Sequence, residues 1–189
     1  LKNNRASIIL LGWVTLLGFS GLGFALLYFF HDVAPLQLLL SGVPIWWQTG
    51  AGLAVGWIMG LMALRLLQHP YIQPAAERYE KLIASFELRP TDVVFISFCA
   101  GFGEEILFRG AVQLWLGVWL TAIVFVAIHG YLNPRNLRIS VYGVFMTLAI
   151  ALIGYLRMHL GIWSAISAHF AIDVVLLFAV LKKYEGRTE

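Results

Sequence analysis

Val93-Val94-Phe95-Ile96-Ser97-Phe98-Cys99-Ala100-Gly101-Phe102-Gly103-Glu104-Glu105-Ile106-Leu107-Phe108-Arg109-Gly110 is the stretch whose reading decides the fold. Val93 to Gly103 carries no charge, and then two carboxylates and a guanidinium follow in quick succession. An ionised side chain at hydrocarbon depth is costly unless it is paired or faces a wet cavity. Three such charges inside bilayer-like sequence therefore mark a functional interior, and the remaining chain reads as a scaffold around them.

Outward from this stretch the composition agrees. The chain has 189 residues, 60% of them hydrophobic, and a formal net charge of +3, with a mean hydropathy of +0.82. Its length suits one domain, spanning 1–189, and its apolarity places it among integral membrane proteins. The positive charge does not point to nucleic acid. Lys2, Arg5, Arg65, Arg78, Lys81, Arg89, Arg135, Arg138, Lys182, Lys183 and Arg187 fall in short polar segments between apolar runs. They show none of the aromatic and basic interleaving of a nucleotide groove. A single cysteine, Cys99, excludes an intrachain disulfide.

Six apolar segments, 8–30, 45–64, 91–116, 118–132, 139–156 and 161–181, predict an all-α polytopic membrane bundle of about six transmembrane helices. The first is too long for a signal-peptide core and is expected to remain as a span. Gly52, Gly56 and Gly60 recur every fourth residue and predict a smooth face for packing against another span. The segment 75–88 mixes Glu77, Arg78, Glu80 and Lys81 with Tyr79, Leu82, Ile83 and Phe86, predicting a short amphipathic helix at the cytoplasmic interface. Thr91 or Asp92 is expected to cap the helix that follows Pro90. The fourth segment is short for a crossing, so Asn133-Pro134-Arg135 is expected to dip below the headgroups. With both termini cytoplasmic, every Lys and Arg except Arg109 and Arg157 lies on the inner half, as basic loop residues do. The expected location is the cell membrane of a prokaryote, multi-pass.

Further polar groups recur at hydrocarbon depth. Glu105 and Arg109 share a helix face and predict an ion pair; Glu104, about 100° away, is free to face a cavity. His129 comes from the fourth segment, and His169 and Asp173 from the sixth. Counting along the helices brings Glu104, His129 and His169 to similar depth near mid-membrane. A carboxylate and an imidazole sharing a water make a base for hydrolysis, and a second imidazole can donate to a developing oxyanion. Two His and two carboxylates would also suffice for zinc, although no His-Glu-x-x-His is present. A proton or solute pathway would use similar residues, and a purely structural polar network is the bland alternative.

Three motifs in order, Glu104-Glu105-x-x-x-Arg109 continued by Gly110, Phe125-x-x-x-His129 and His169-x-x-x-Asp173, resemble the CAAX protease and bacteriocin-processing (Abi) family of intramembrane proteases, which includes the prenyl-protein endopeptidase of the eukaryotic endoplasmic reticulum. The resemblance covers 91–177 and implies a catalytic core there. It implies that Glu104 and His129 activate the attacking water, that His169 and Asp173 serve the oxyanion, and that Glu105 and Arg109 support the site with Phe125 beside it. It further implies a glutamic, metal-independent endopeptidase with no cofactor, acting on membrane-associated peptides or proteins. The prenyl-protein endopeptidases have Asn where this chain has Asp173; an ionised Asp would repel an oxyanion, so its expected task is to orient His169. Non-catalytic alternatives are a bacteriocin-immunity or scaffold protein and a transporter. An enzyme is expected to hold Glu104 and His129 about one water's span apart in a cavity.

Overall fold

Each long apolar run folds as helix, because without water every backbone N–H and C=O must be satisfied within its own segment. The computed structural model describes residues 4–185; Lys2 and Arg187, among the basic residues counted above, lie outside them. Helix α1 runs from Asn4–Val14 through a π-helical turn, Thr15–Phe19, into Ser20–His31. A short helix α2 (Pro35–Leu40) leads to α3 (Ile45–Leu67) and to the amphipathic α4 (Gln73–Ala84). Helix α5 (Pro90–Glu105) continues through a second π turn, Ile106–Val112, into α6 (Gln113–Ile128). The last two helices are α7 (Leu137–His159) and α8 (Ile162–Glu185).

Among the described residues five helices, rather than the six expected, are long and apolar enough to cross a bilayer, because 90–128 is one helical run. That run is not straight. Gly117 has φ 67° and ψ 178°, a conformation that side chains with a Cβ rarely adopt. The chain reverses there: Phe125 packs edge-on against Phe108 with ring centroids 5.0 Å apart, although a straight helix would separate them by about 25 Å. The returning leg ends at Ile128, four residues before the expected 132. From Gly117 it rises only about 16 Å, roughly half the hydrocarbon thickness. Past its end, the loop at Asn133 meets its backbone needs within the protein. Ser140 Oγ donates to Asn133 O at 2.7 Å and accepts from Asn133 N at 2.9 Å, and Asn136 N donates to Asn133 O at 2.9 Å.

The glycine face of α3 packs on α8. A Cβ on Gly52 would overlap Ser164 and Ser167, one on Gly56 the backbone of Ala168, and one on Gly60 Val175. This close seam holds the helix that carries His169. One end of the bundle is tied by Gln48, which is fully buried: its Nε2 donates to Ser41 O (3.0 Å) and Val43 O (2.7 Å), while its Oε1 accepts from Trp163 N at 3.0 Å. The Trp163 amide belongs to the first turn of α8, where helices leave donors without internal partners. At the other end Arg5 clasps Asp92 through Nε (2.6 Å) and Nη2 (2.7 Å), and Lys183 binds Glu80 of α4. Asp92 is not the residue that caps α5 from outside the helix. Arg89 precedes Pro90 in extended geometry, and Asp92, in the first turn, reaches back to the Arg89 amide at 2.8 Å.

Gly56→Val is expected to lower the thermal midpoint in detergent by an overpacking cost of about 1–3 kcal/mol. Gly50→Ala, on the same helix with nothing within 4 Å of the added carbon, is expected to leave it unchanged or slightly raised. Intrinsic tryptophan fluorescence during heating reads both, and equal effects would refute the seam.

Candidate active site

Two glycines let α1 press against the helix that bears the charges: a Cβ on Gly103 would meet the Thr15 backbone, and one on Gly23 the backbone of Ile106 and Leu107. This backing encloses the π turn that begins immediately after Glu105. Single π turns inside helices recur at functional sites. Glu105 and Arg109 are sealed by it, at 0% and 1% exposure. Arg109 Nε lies 3.0 Å from Glu105 Oε2, and its guanidinium carbon sits 4.4 Å from the centre of the Phe125 ring, over its face. The expected ion pair is therefore present, with an aromatic lid over the cation.

Glu105 has a second partner. His169 Nδ1 lies 2.7 Å from Glu105 Oε1, so the imidazole donates there and its Nε2 is directed elsewhere. Asp173 Oδ2 is 3.5 Å from that Nε2. The short hydrogen bond that orients His169 thus comes from Glu105 rather than from Asp173. Neither motif spacing nor periodicity announces this link across two helices.

His129 is the C-cap residue of α6. Its Nδ1 lies 2.7 Å from the Phe125 carbonyl oxygen, which can only accept, so Nδ1 carries a hydrogen and, in the neutral ring, Nε2 presents a lone pair. That lone pair faces Glu104 Oε2 at 3.6 Å. The separation exceeds a hydrogen bond and is shorter than the full water's span expected from sequence. Glu104 Oε2 is buried and has no hydrogen-bond partner among the described residues.

Glu104, His129, His169 and Asp173 line one cavity of about 160 Å³. The volume matches roughly five liquid waters at about 30 Å³ each. Phe125, Val126, Met146, Ile150, Ile172 and Leu176 supply apolar wall, and Tyr131 and Tyr142, not foreseen from sequence, complete it. Side-chain exposure rises from His169 (8%) through Glu104 (14%) and Asp173 (27%) to His129 (35%), so the cavity opens on the His129 side. Glu105 and Arg109 lie behind the wall rather than on it. Among the described residues no three His, Cys, Asp or Glu side chains converge as a metal-binding group. Cys99 is buried and is not among the cavity's lining residues.

Arg109→Met strands the buried Glu105 carboxylate, and removing one partner of such a pair costs about 3–5 kcal/mol. Adding Glu105→Gln removes the stranded charge, so the double variant is expected to regain more than half of that loss. Chemical unfolding in mixed micelles checks this; additive losses would show that the pair is not coupled.

Residues 87–175 match a family model described as type II CAAX prenyl endopeptidase Rce1-like. The uncharacterized protein YpbD of Bacillus subtilis (strain 168) is 28% identical over 163 residues, which cover 84% of this chain and 81% of YpbD. No solved structure matches. Every ionisable side chain of the cavity lies inside the matched region, so it is through residues 87–175 that the chain is similar to the Rce1-like type II CAAX prenyl endopeptidases, a family of membrane proteases.

Proposed function

We propose that this protein is a glutamic intramembrane endopeptidase that hydrolyses peptide bonds of membrane-associated peptides or proteins. The observation that carries the reading is the face-to-face approach of two acceptors, Glu104 Oε2 and His129 Nε2, 3.6 Å apart with no protein donor between them. Two facing lone pairs repel. A water seated off the line between them, about 2.8 Å from each, donates one hydrogen to the carboxylate and one to the imidazole. Both of its hydrogens are then engaged and its own lone pairs are free for attack.

In the proposed reaction the water oxygen bonds to the scissile carbonyl carbon, one proton passes to Glu104, and the carbonyl π pair moves onto oxygen. Collapse restores the C=O bond and breaks the C–N bond, and Glu104 returns its proton to the leaving amine. The second water hydrogen stays with the carboxylic product. His169 is flanked by Glu105 at Nδ1 and Asp173 at Nε2. Two carboxylates on the two ring nitrogens suit a doubly protonated ring, whose Nε2–H can turn to the oxyanion. Asp173 then balances charge and holds the Nε2 side.

The His129 side of the cavity adjoins the loop to Arg135 and Arg138 and the helix that binds Lys183. By the bias of basic residues toward the cytoplasm, we assign this opening and both termini to the cytoplasmic side of a prokaryotic cell membrane. A scaffold would have no use for an apolar-walled cavity over an unsatisfied carboxylate oxygen facing an imidazole; a peptide bond with flanking apolar side chains fits it.

Purified protein is expected to cleave members of a membrane-peptide library, read by mass spectrometry, and Glu104→Gln is expected to lower kcat by about 10²–10⁴-fold. A zinc chelator is expected to leave the wild-type rate unchanged. Full activity of Glu104→Gln would remove the base from this scheme, and loss of activity with chelator would replace it with a metal mechanism.

A further inference from the structure

The cavity wall is rich in acceptors and poor in donors. Glu104 and Asp173 present carboxylate oxygens and His129 presents Nε2, whereas His129 Nδ1–H is spent on Phe125 O and Arg109 lies behind the Phe125 ring. A hydrolytic site needs hydrogen-bond donors where negative charge develops. Besides His169, the wall offers two phenol hydroxyls, those of Tyr131 and Tyr142, packed edge-on with centroids 5.1 Å apart.

Tyr131 is the better placed of the two because it is built onto the same turn as His129. Gly130, with φ 79°, closes α6: Gly130 N donates to Ala127 O at 2.9 Å and Tyr131 N to Val126 O at 3.3 Å, a left-handed helix stop that Gly adopts without strain. The turn lays the Tyr131 ring nearly parallel to that of His129, at 19° and 6.2 Å. The ring of Tyr79 from α4 lies 6.0 Å from that of Tyr131, centroid to centroid. Tyr131 is half-buried, and its hydroxyl makes no hydrogen bond to another described residue. Burial, reinforced by Asp173, Tyr79 and Glu104, pushes the phenol up to about 12, so it stays protonated and able to donate at any physiological pH.

We infer that Tyr131 is a further catalytic residue, its hydroxyl donating a hydrogen bond to the scissile carbonyl oxygen as that oxygen gains charge. The inference rests on the hydrolytic reading of the cavity. No proton leaves the phenol: the hydrogen bond shortens as the oxyanion forms and relaxes when the C=O bond returns. Tyr131 thereby supplies, from a neutral group, the donor that Asp173 in its ionised form cannot.

Tyr131→Phe keeps the ring and its stacking and removes only the donor. In the peptide-cleavage assay it is expected to lower kcat by about 10²–10³-fold, the range for loss of one oxyanion donor, with KM within about twofold and an unchanged thermal midpoint. Tyr155→Phe, remote on α7 and against Trp119, serves as the hydroxyl-loss control and is expected to match wild type. A Tyr131→Phe kcat within twofold of wild type, in preparations where Glu104→Gln is inactive, would overturn the role of Tyr131 and leave the hydrolytic reading standing. A lowered thermal midpoint, or an effect confined to KM, would make Tyr131 structural or substrate-binding and overturn it too. If Glu104→Gln were itself fully active, the failure would lie with the hydrolytic reading.

Discussion

Everything in the site depends on one buried carboxylate. Glu105 is sealed from solvent and holds two partners at once, the Arg109 guanidinium at 3.0 Å and the His169 imidazole at 2.7 Å. A carboxylate in an apolar interior is tolerable only with such compensation. The requirement works in both directions, because satisfying Glu105 fixes the position of α8 against α5 and the tautomer and tilt of His169. The glycine seam between α3 and α8 then holds α8 from its far side. Stability of the bundle and aim of the imidazole are one constraint.

A second feature concerns what the protein leaves unsatisfied. Most buried polar groups find a partner, yet Glu104 Oε2 has none among the described residues and faces His129 Nε2 across 3.6 Å. The neighbouring polar groups show that the chain can meet such needs. Gln48 satisfies three backbone groups, and Ser140 satisfies both sides of Asn133. Among the described residues Glu104 Oε2 is the buried unpaired atom that lines the cavity, within the region similar to the Rce1-like endopeptidases.

Much of this was legible in the sequence, for identifiable reasons. Charges in apolar helix are rare enough to single out Glu104, Glu105, Arg109, His169 and Asp173, and helical period alone paired Glu105 with Arg109. The glycines at 52, 56 and 60 announced a seam, although not that α8 was the partner. Other features depend on tertiary approach and leave no periodic trace. The bond from Glu105 to His169 joins residues 64 apart in sequence, and the stop at Ile128 comes from the left-handed Gly130 rather than from a fall in hydropathy. Tyr131 reads in the sequence as one more interfacial aromatic; only the turn that seats it beside His129 sets it apart. Among the described residues the six expected segments form five long apolar helical runs, because the third and fourth join into one run that reverses at Gly117.

That shortened return leg has a geometric consequence. Because α6 stops about 16 Å from its turn, the imidazole at its tip hangs at a fixed level inside the lipid, like a weight on a cord of set length. In the proposed hydrolysis, a chain threaded to it would meet the attacking water at that level. Under that proposal, adding or deleting a helical turn between Gly117 and Ile128 would move the point of attack along the substrate, so the stature of one small helix would act as a ruler.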